Sequence, residues 1–228
     1  LHHKVTFSLM YAYSERFILP LSHDEVVHGK KSLLDKMPGS YEEKFSQLKL
    51  LAGYMTAHPG KKLMFMGGEL GMFSEWKDKE QLDWNLLGYD AHRKLNEFFK
   101  DLLKLYKRSK PLYELDDYPE GFEWIDTQDR ENSVLVFARK GKAIENHVVV
   151  VLNLTPVPRQ AYRLGVLSEG DWVEIFNTDH EEFYGSGIKN NKPLTAEKEQ
   201  WHGKSYSVKV DLPPLSALVL KKKNSKNG

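Results

Sequence analysis

The densest polar cluster in the chain is Ser22-His23-Asp24-Glu25, followed by His28-Gly29-Lys30-Lys31. Carboxylates beside an imidazole suit general acid–base work or metal ligation. The metal reading is the weaker one. A zinc-protease helix carries two histidines four apart with a glutamate between them, whereas His23 and His28 stand five apart in a loop-like stretch. A second acid, Glu69, follows Gly67-Gly68. Farther on, Trp76 and the pair Asp83-Trp84 lie in an irregular segment. Indole faces stack on the CH faces of sugar rings while acids bind the hydroxyls, so this composition suits a carbohydrate. Each feature has an ordinary alternative. A polar cluster after a strand also serves as loop and helix cap, and a tryptophan in a long loop also packs that loop. No phosphate-binding loop of the Walker type and no GxSxG elbow occurs. His2-His3 is assigned no role.

These residues are positioned by a chain of two textures. Phe17-Ile18-Leu19-Pro20-Leu21 reads as a buried strand, with its proline marking the strand's end. Ser40 begins a helix, and Glu43 completes a capping box. Phe45, Leu48, Leu51, Ala52 and Met55 recur at helical spacing until His58-Pro59-Gly60 stops them. Leu63-Met64-Phe65-Met66 is a second short strand. After the irregular stretch 69–89, Asp90 is expected to cap a helix whose apolar face is Leu95, Phe98, Phe99, Leu102, Leu103 and Tyr106. Strand, helix, strand, loop, helix implies parallel strands. Both Asp24 and Glu69 then follow the C-terminal ends of adjacent strands, where α/β folds carry their chemistry.

From about residue 111 the texture changes. Seven short apolar runs, at 122–126, 133–138, 147–154, 160–164, 172–176, 205–212 and 216–220, are separated by turn signals such as Glu169-Gly170-Asp171 and Pro213-Pro214. That spacing predicts an antiparallel sandwich or barrel. From Lys221 the chain reads as a polar, frayed tail. Two units are therefore expected, 1–110 and 111–228. The first carries 18 basic and 14 acidic residues and the second 15 and 18. Two βα units cannot close a parallel barrel, which takes eight strands and about 250 residues. Residues 1–110 thus read as the end of a larger domain that begins upstream, which fits a chain starting at Leu1. Alone, they would leave open apolar sheet edges. The β unit is expected to fold by itself and the α/β unit to be marginal.

Composition narrows the function. The 228 residues are 40% hydrophobic, 29% charged and 12% aromatic, with a formal net charge of +1. Near-neutrality argues against a nucleic-acid or membrane-surface partner. No apolar run approaches the roughly 20 residues of a membrane span. The absence of cysteine excludes disulfides and thiolate zinc sites. With no signal peptide at its start, the chain is expected in the cytoplasm.

At Leu19-Pro20-Leu21-Ser22-His23-Asp24-Glu25-Val26-Val27-His28-Gly29-Lys30 the sequence resembles the fourth signature region of the α-amylase superfamily, and more narrowly that of bacterial 1,4-α-glucan (glycogen) branching enzymes. Other stretches agree in order and spacing: 60–67 with Glu69, Leu82-Asp83-Trp84, 121–124, 153–159 and 212–215. The resemblance covers essentially the whole chain. It implies the last two βα units of a (β/α)8 TIM barrel followed by an antiparallel β-sandwich domain, that is, α/β plus all-β. It implies retaining transfer of an α-1,4-linked glucan chain to a 6-hydroxyl, making α-1,6 branches in glycogen. In such enzymes an aspartate nucleophile and a glutamate acid/base act as a pair about 5–5.5 Å apart. A third carboxylate binds the 2- and 3-hydroxyls of the reacting sugar and stabilises the transition state.

By position Asp24 matches that third carboxylate, and His23 the histidine on the same sugar. Glu69 matches an acid after the last barrel strand, and Asp83 with Trp84 a substrate-proximal motif. The nucleophile and acid/base come from earlier strands, so none is assigned in this chain, which alone is expected to be inactive. No metal or organic cofactor is implied. The expected partners are α-glucan and the N-terminal part of the same enzyme. Two other readings compete. One is another α-amylase-type hydrolase, such as a trehalose-releasing enzyme, against which Val26-Val27-His28-Gly29-Lys30 favours branching. The other is a non-catalytic α-glucan-binding module.

Overall fold

A computed structural model describes residues 5–223. The leading strand is β1 (Ile18–Leu21). The chain then crosses over through a helix, α1 (Tyr41–Ala57), to β2 (Lys61–Met64). The two strands pair in parallel, from Ile18 opposite Lys61 to Leu21 opposite Met64. The start of α1 follows from its capping box. Ser40 Oγ accepts the Glu43 N–H at 3.2 Å and the Glu43 carboxylate accepts the Ser40 N–H at 2.8 Å. Pro59, which cannot continue a helix, and Gly60 at φ 112° turn the chain into β2.

A second helix, α2 (Asp90–Arg108), packs along α1. Leu95, Phe98, Phe99 and Leu102 meet Phe45, Leu48 and Ala52 there. Two expectations about α2 need correction. Asp90 is its first helical residue rather than its cap, and its carboxylate pairs instead with Arg93. Leu103 is 51% exposed, because at position 103 the helix has turned away from α1.

The remaining strands are β3 (Phe122–Asp126), β4 (Val134–Arg139), β5 (Val148–Asn153), β6 (Arg159–Val166), β7 (Asp171–Asn177), β8 (Leu194–Thr195), β9 (Tyr206–Leu212) and β10 (Ser216–Lys222). Six form an antiparallel sheet in the order β3-β4-β5-β10-β7-β8, and β6 pairs with β9 as a second layer. Successive side chains of a strand point to opposite faces. Val134, Val136, Val149, Val151 and Leu218 therefore face β6 and β9. Leu135, Phe137, Val150, Leu152 and Val219 face Leu50 and Ala57 of α1. Burial on both faces explains the unbroken run Val148–Leu152. It also corrects the frayed tail, since Lys221 and Lys222 lie in β10 and the Lys223 N–H bonds the Asp171 carbonyl at 2.7 Å. His2, His3 and residues 224–228 lie outside the described residues.

The apolar core thus runs across the change of texture at 110/111. Buried Arg139 of β4 reaches back, donating to the carbonyl of Ala57 at 2.6 Å and pairing with Asp116 at 2.5 Å. Buried Lys49 of α1 donates to the Phe183 carbonyl at 2.7 Å. At Gly53 an added Cβ would stand 2.9 Å from Thr178 Cγ2, so the missing side chain lets α1 lie close to the sheet. No helix among the described residues is long and apolar enough to cross a membrane.

Candidate functional site

The site begins immediately after β1. Ser22 Oγ accepts the Asp24 N–H at 3.3 Å and caps a single 3-10 turn, His23–Glu25. The turn presents both side chains to solvent, Asp24 at 71% and His23 at 53% exposure, with His23 Nε2 3.3 Å from Asp24 Oδ1. The imidazole is backed by aromatic rings, Trp76 with its centroid at 6.0 Å and Phe65 at 6.2 Å. Phe65 itself is fixed by the parallel ladder, where its N–H bonds the Leu21 carbonyl at 3.1 Å. Lys30 Nζ donates to the Asp24 carbonyl at 2.8 Å, and Lys36 Nζ to that of Glu25. Asp24 thus keeps its carboxylate free for a ligand while its main chain is tied down.

Glu69 occupies the corresponding place after β2. It sits in a 3-10 turn, Gly68–Leu70, bounded by Gly67 at φ 89° and Gly71 at φ 64°. Only glycine adopts such left-handed backbone without penalty, and a Cβ at Gly71 would stand 2.7 Å from Leu95 Cδ2. The Leu70 carbonyl is held by the ring of His92 of α2 at 2.8 Å. Glu69 Oε2 is buried without a hydrogen-bond partner among the described residues.

His23 and Asp24 are therefore brought into contact, and Glu69 follows the neighbouring strand at the same end of the pair. Asp83 accepts the Ser74 hydroxyl at 2.9 Å within its own loop, and Trp84 is 55% exposed at the head of a 3-10 turn. No hydrogen bond or ion pair joins Glu69, Asp83 or Trp84 to Asp24 among the described residues. His28 lies against Glu75 at 3.5 Å, away from the His23–Asp24 pair.

Sequence reasoning left Glu75 without a role. Its carboxylate accepts the N–H groups of Lys31 at 2.7 Å and Gly29 at 3.0 Å. Those two bonds, Lys31 first, hold its pKa below the usual carboxylate range. The contact spans more than forty residues, and no local pattern announces it.

Residues 124–223 match the family described as alpha amylase, C-terminal all-beta domain. The 1,4-alpha-glucan branching enzyme GlgB of Geobacillus stearothermophilus is 56% identical over 220 residues, covering 96% of this chain and 34% of the relative. That of Bacillus cereus strain Q1 is 53% identical over 228 residues, covering 100% of this chain and 35% of the relative. Over nearly all of its length the chain is thus similar to 1,4-alpha-glucan branching enzymes. It corresponds to the C-terminal portion of these enzymes and spans about a third of their length. Its fold is shared with more distant structures. A pullulanase from Anoxybacillus sp. LM18-11, complexed with maltotetraose, aligns with a TM-score of 0.62 at 15% identity over 97% of this chain and 31% of its own. The α-amylase from H. orenii aligns at 0.53 and 17% identity, over 90% of this chain and 39% of its own. In this chain, residues 5–110 bring the His23–Asp24 pair and residues 124–223 match the all-β domain.

Proposed function

We propose that this chain is the C-terminal part of a 1,4-α-glucan branching enzyme, and that Asp24 is the carboxylate that stabilises its transition state. The whole enzyme cleaves an α-1,4 link, holds the glucan covalently and passes it to a 6-hydroxyl, as in glycogen. The observation that carries this is the His23–Asp24 pair at the C-terminal end of a parallel strand, exposed, with no lysine or arginine paired to the Asp24 carboxylate among the described residues. A bare carboxylate accepts hydrogen bonds from two sugar hydroxyls. Those bonds shorten and strengthen as the ring flattens toward an oxocarbenium ion, so they favour the transition state over the ground state. His23 donates to a neighbouring hydroxyl. Glu69, Asp83 and Trp84 line the same substrate, Trp84 offering a face for stacking. The nucleophile and acid/base belong to upstream chain.

The β1–β2 pair is then the end of a (β/α)8 barrel, and residues from 111 onward form the β-sandwich domain. The outer edges of the pair support this. They meet no other strand among the described residues, and Ile18, Met64 and Met66 are exposed beside them. An isolated parallel pair with apolar edges calls for further strands. The reaction needs no metal or organic cofactor, and a soluble glucan substrate fits a cytoplasmic enzyme.

The test is Asp24→Asn in the longer polypeptide. Asparagine keeps the shape but loses the charge, so turnover on amylose falls by about 10³-fold while glucan binding changes little. Turnover close to wild type would contradict the assignment.

A further inference from the structure

The loop that carries His23 and Asp24 is not held by its local hydrogen bonds alone. Between Ser22 and Ser32 its backbone includes left-handed residues at Gly29, φ 81°, and Lys31, φ 64°. A lysine in that region is unfavourable and persists only when surroundings impose it. The surroundings come from a segment distant in sequence. Glu75 accepts the N–H groups on either side of Lys30, from Gly29 at 3.0 Å and from Lys31 at 2.7 Å, one with each carboxylate oxygen. The next residue continues the contact. The Trp76 N–H bonds the Val26 carbonyl at 2.9 Å. The indole of Trp76 stands edge-on to the His23 ring and, 5.2 Å away, to Phe65. Lys30, trapped between the two clamped amides, in turn bonds the Asp24 carbonyl. A continuous chain of contacts therefore runs from Glu75 through Lys30 to Asp24, and from Trp76 to His23.

We infer that Glu75 is a positioning residue for the branching site, a two-pronged anionic clamp that fixes the Asp24 loop in its working conformation and, with Trp76, sets the plane of His23. This rests on the Asp24 reading above. Glu75 itself touches no reacting atom, because its oxygens are occupied by backbone amides. Those same amide bonds hold its pKa below the usual carboxylate range, so the clamp is charged near neutrality.

The experiment compares Glu75→Ala, Glu75→Gln and Asp24→Asn in the longer polypeptide. Turnover and KM on amylose are read alongside hydrogen exchange of the peptide covering residues 26–32. Without the clamp the loop samples other conformations, and a misplacement of about 1 Å costs on the order of 10- to 100-fold in rate. Glu75→Ala should therefore lower kcat by about 10- to 100-fold, leave KM within about threefold, and speed exchange of 26–32. Glu75→Gln keeps one acceptor oxygen and should fall between alanine and wild type in both readouts. Asp24→Asn should lower turnover by about 10³-fold without altering exchange. A Glu75→Ala enzyme with wild-type kcat beside an inactive Asp24→Asn overturns the clamp and leaves the Asp24 site standing. Lost turnover with unchanged exchange of 26–32 also overturns it. An active Asp24→Asn enzyme instead overturns the reading on which the clamp rests.

Discussion

Single residues far from Asp24 carry two sharp energetic consequences. Arg139 and Asp116 are both buried, and Arg139 further satisfies the carbonyls of Ala57 and Gly121. Arg139→Leu leaves the Asp116 charge uncompensated, and removing one partner of a buried pair costs about 3–5 kcal/mol. Urea denaturation of the variant should show that loss. Lys49 is the second case. Burial pulls its pKa down to about 8, and the nearby Asp179 only partly opposes this. A lysine whose folded pKa lies below its unfolded value penalises folding wherever it must stay charged, fully below about pH 8. The penalty is relieved as pH rises from there toward the ordinary lysine value. The stability of the wild type relative to Lys49→Met should therefore increase between pH 8 and 10. A flat difference would mean that Lys49 is not desolvated as the structure has it. Neither residue was singled out by the sequence. What buries them is contact with chain 134 and 82 residues away.

At the scale of elements, what is local was readable and what is relational was not. The capping box at Ser40 and Glu43 is a short-range pattern, and the structure repeats it bond for bond. Ser40→Ala should cost about 1 kcal/mol. Alternation located most of the β-strands to within a residue or two, because side chains of β9 such as Val208 and Val210 face the core while Lys209 faces water. Strand β8, two residues long, has no pattern to read, and Lys221-Lys222 looked like tail because only pairing with distant strands, β7 for both and β5 for Lys221, keeps them in a strand. The role of Gly53 was invisible for the same reason. In isolation alanine would favour the helix there by up to about 1 kcal/mol. Against Thr178 and Ala217 the added methyl must push the sheet away, and overpacking costs about 1–3 kcal/mol. Gly53→Ala should therefore lower the melting temperature despite its better helix propensity.

At the scale of the whole chain, the change of texture at 110/111 is real in sequence but is not a seam in the core. One face of the six-stranded sheet is covered by α1, so a piece cut at 110 would expose Leu135, Phe137, Val150, Leu152 and Val219 together. Residues 111–223 alone should bind hydrophobic dyes and unfold at lower denaturant than a piece starting at residue 30, contrary to a self-sufficient β unit. The candidate site was legible to the extent that its chemistry is contiguous. His23 and Asp24 adjoin in sequence and touch in space, whereas Glu75 and Trp76, which hold their loop, arrive from a distant segment. If Asp24 is the stabilising carboxylate proposed above, the nucleophile and acid/base must come from other chain, since one such carboxylate cannot form and break a glycosyl–enzyme bond. The most direct measurement is NMR detection of new 1,6-linkages in amylose, comparing this chain alone with the longer polypeptide that contains it. Branches are expected from the longer polypeptide and none from residues 1–228 alone. Branches made by this chain unaided would contradict this.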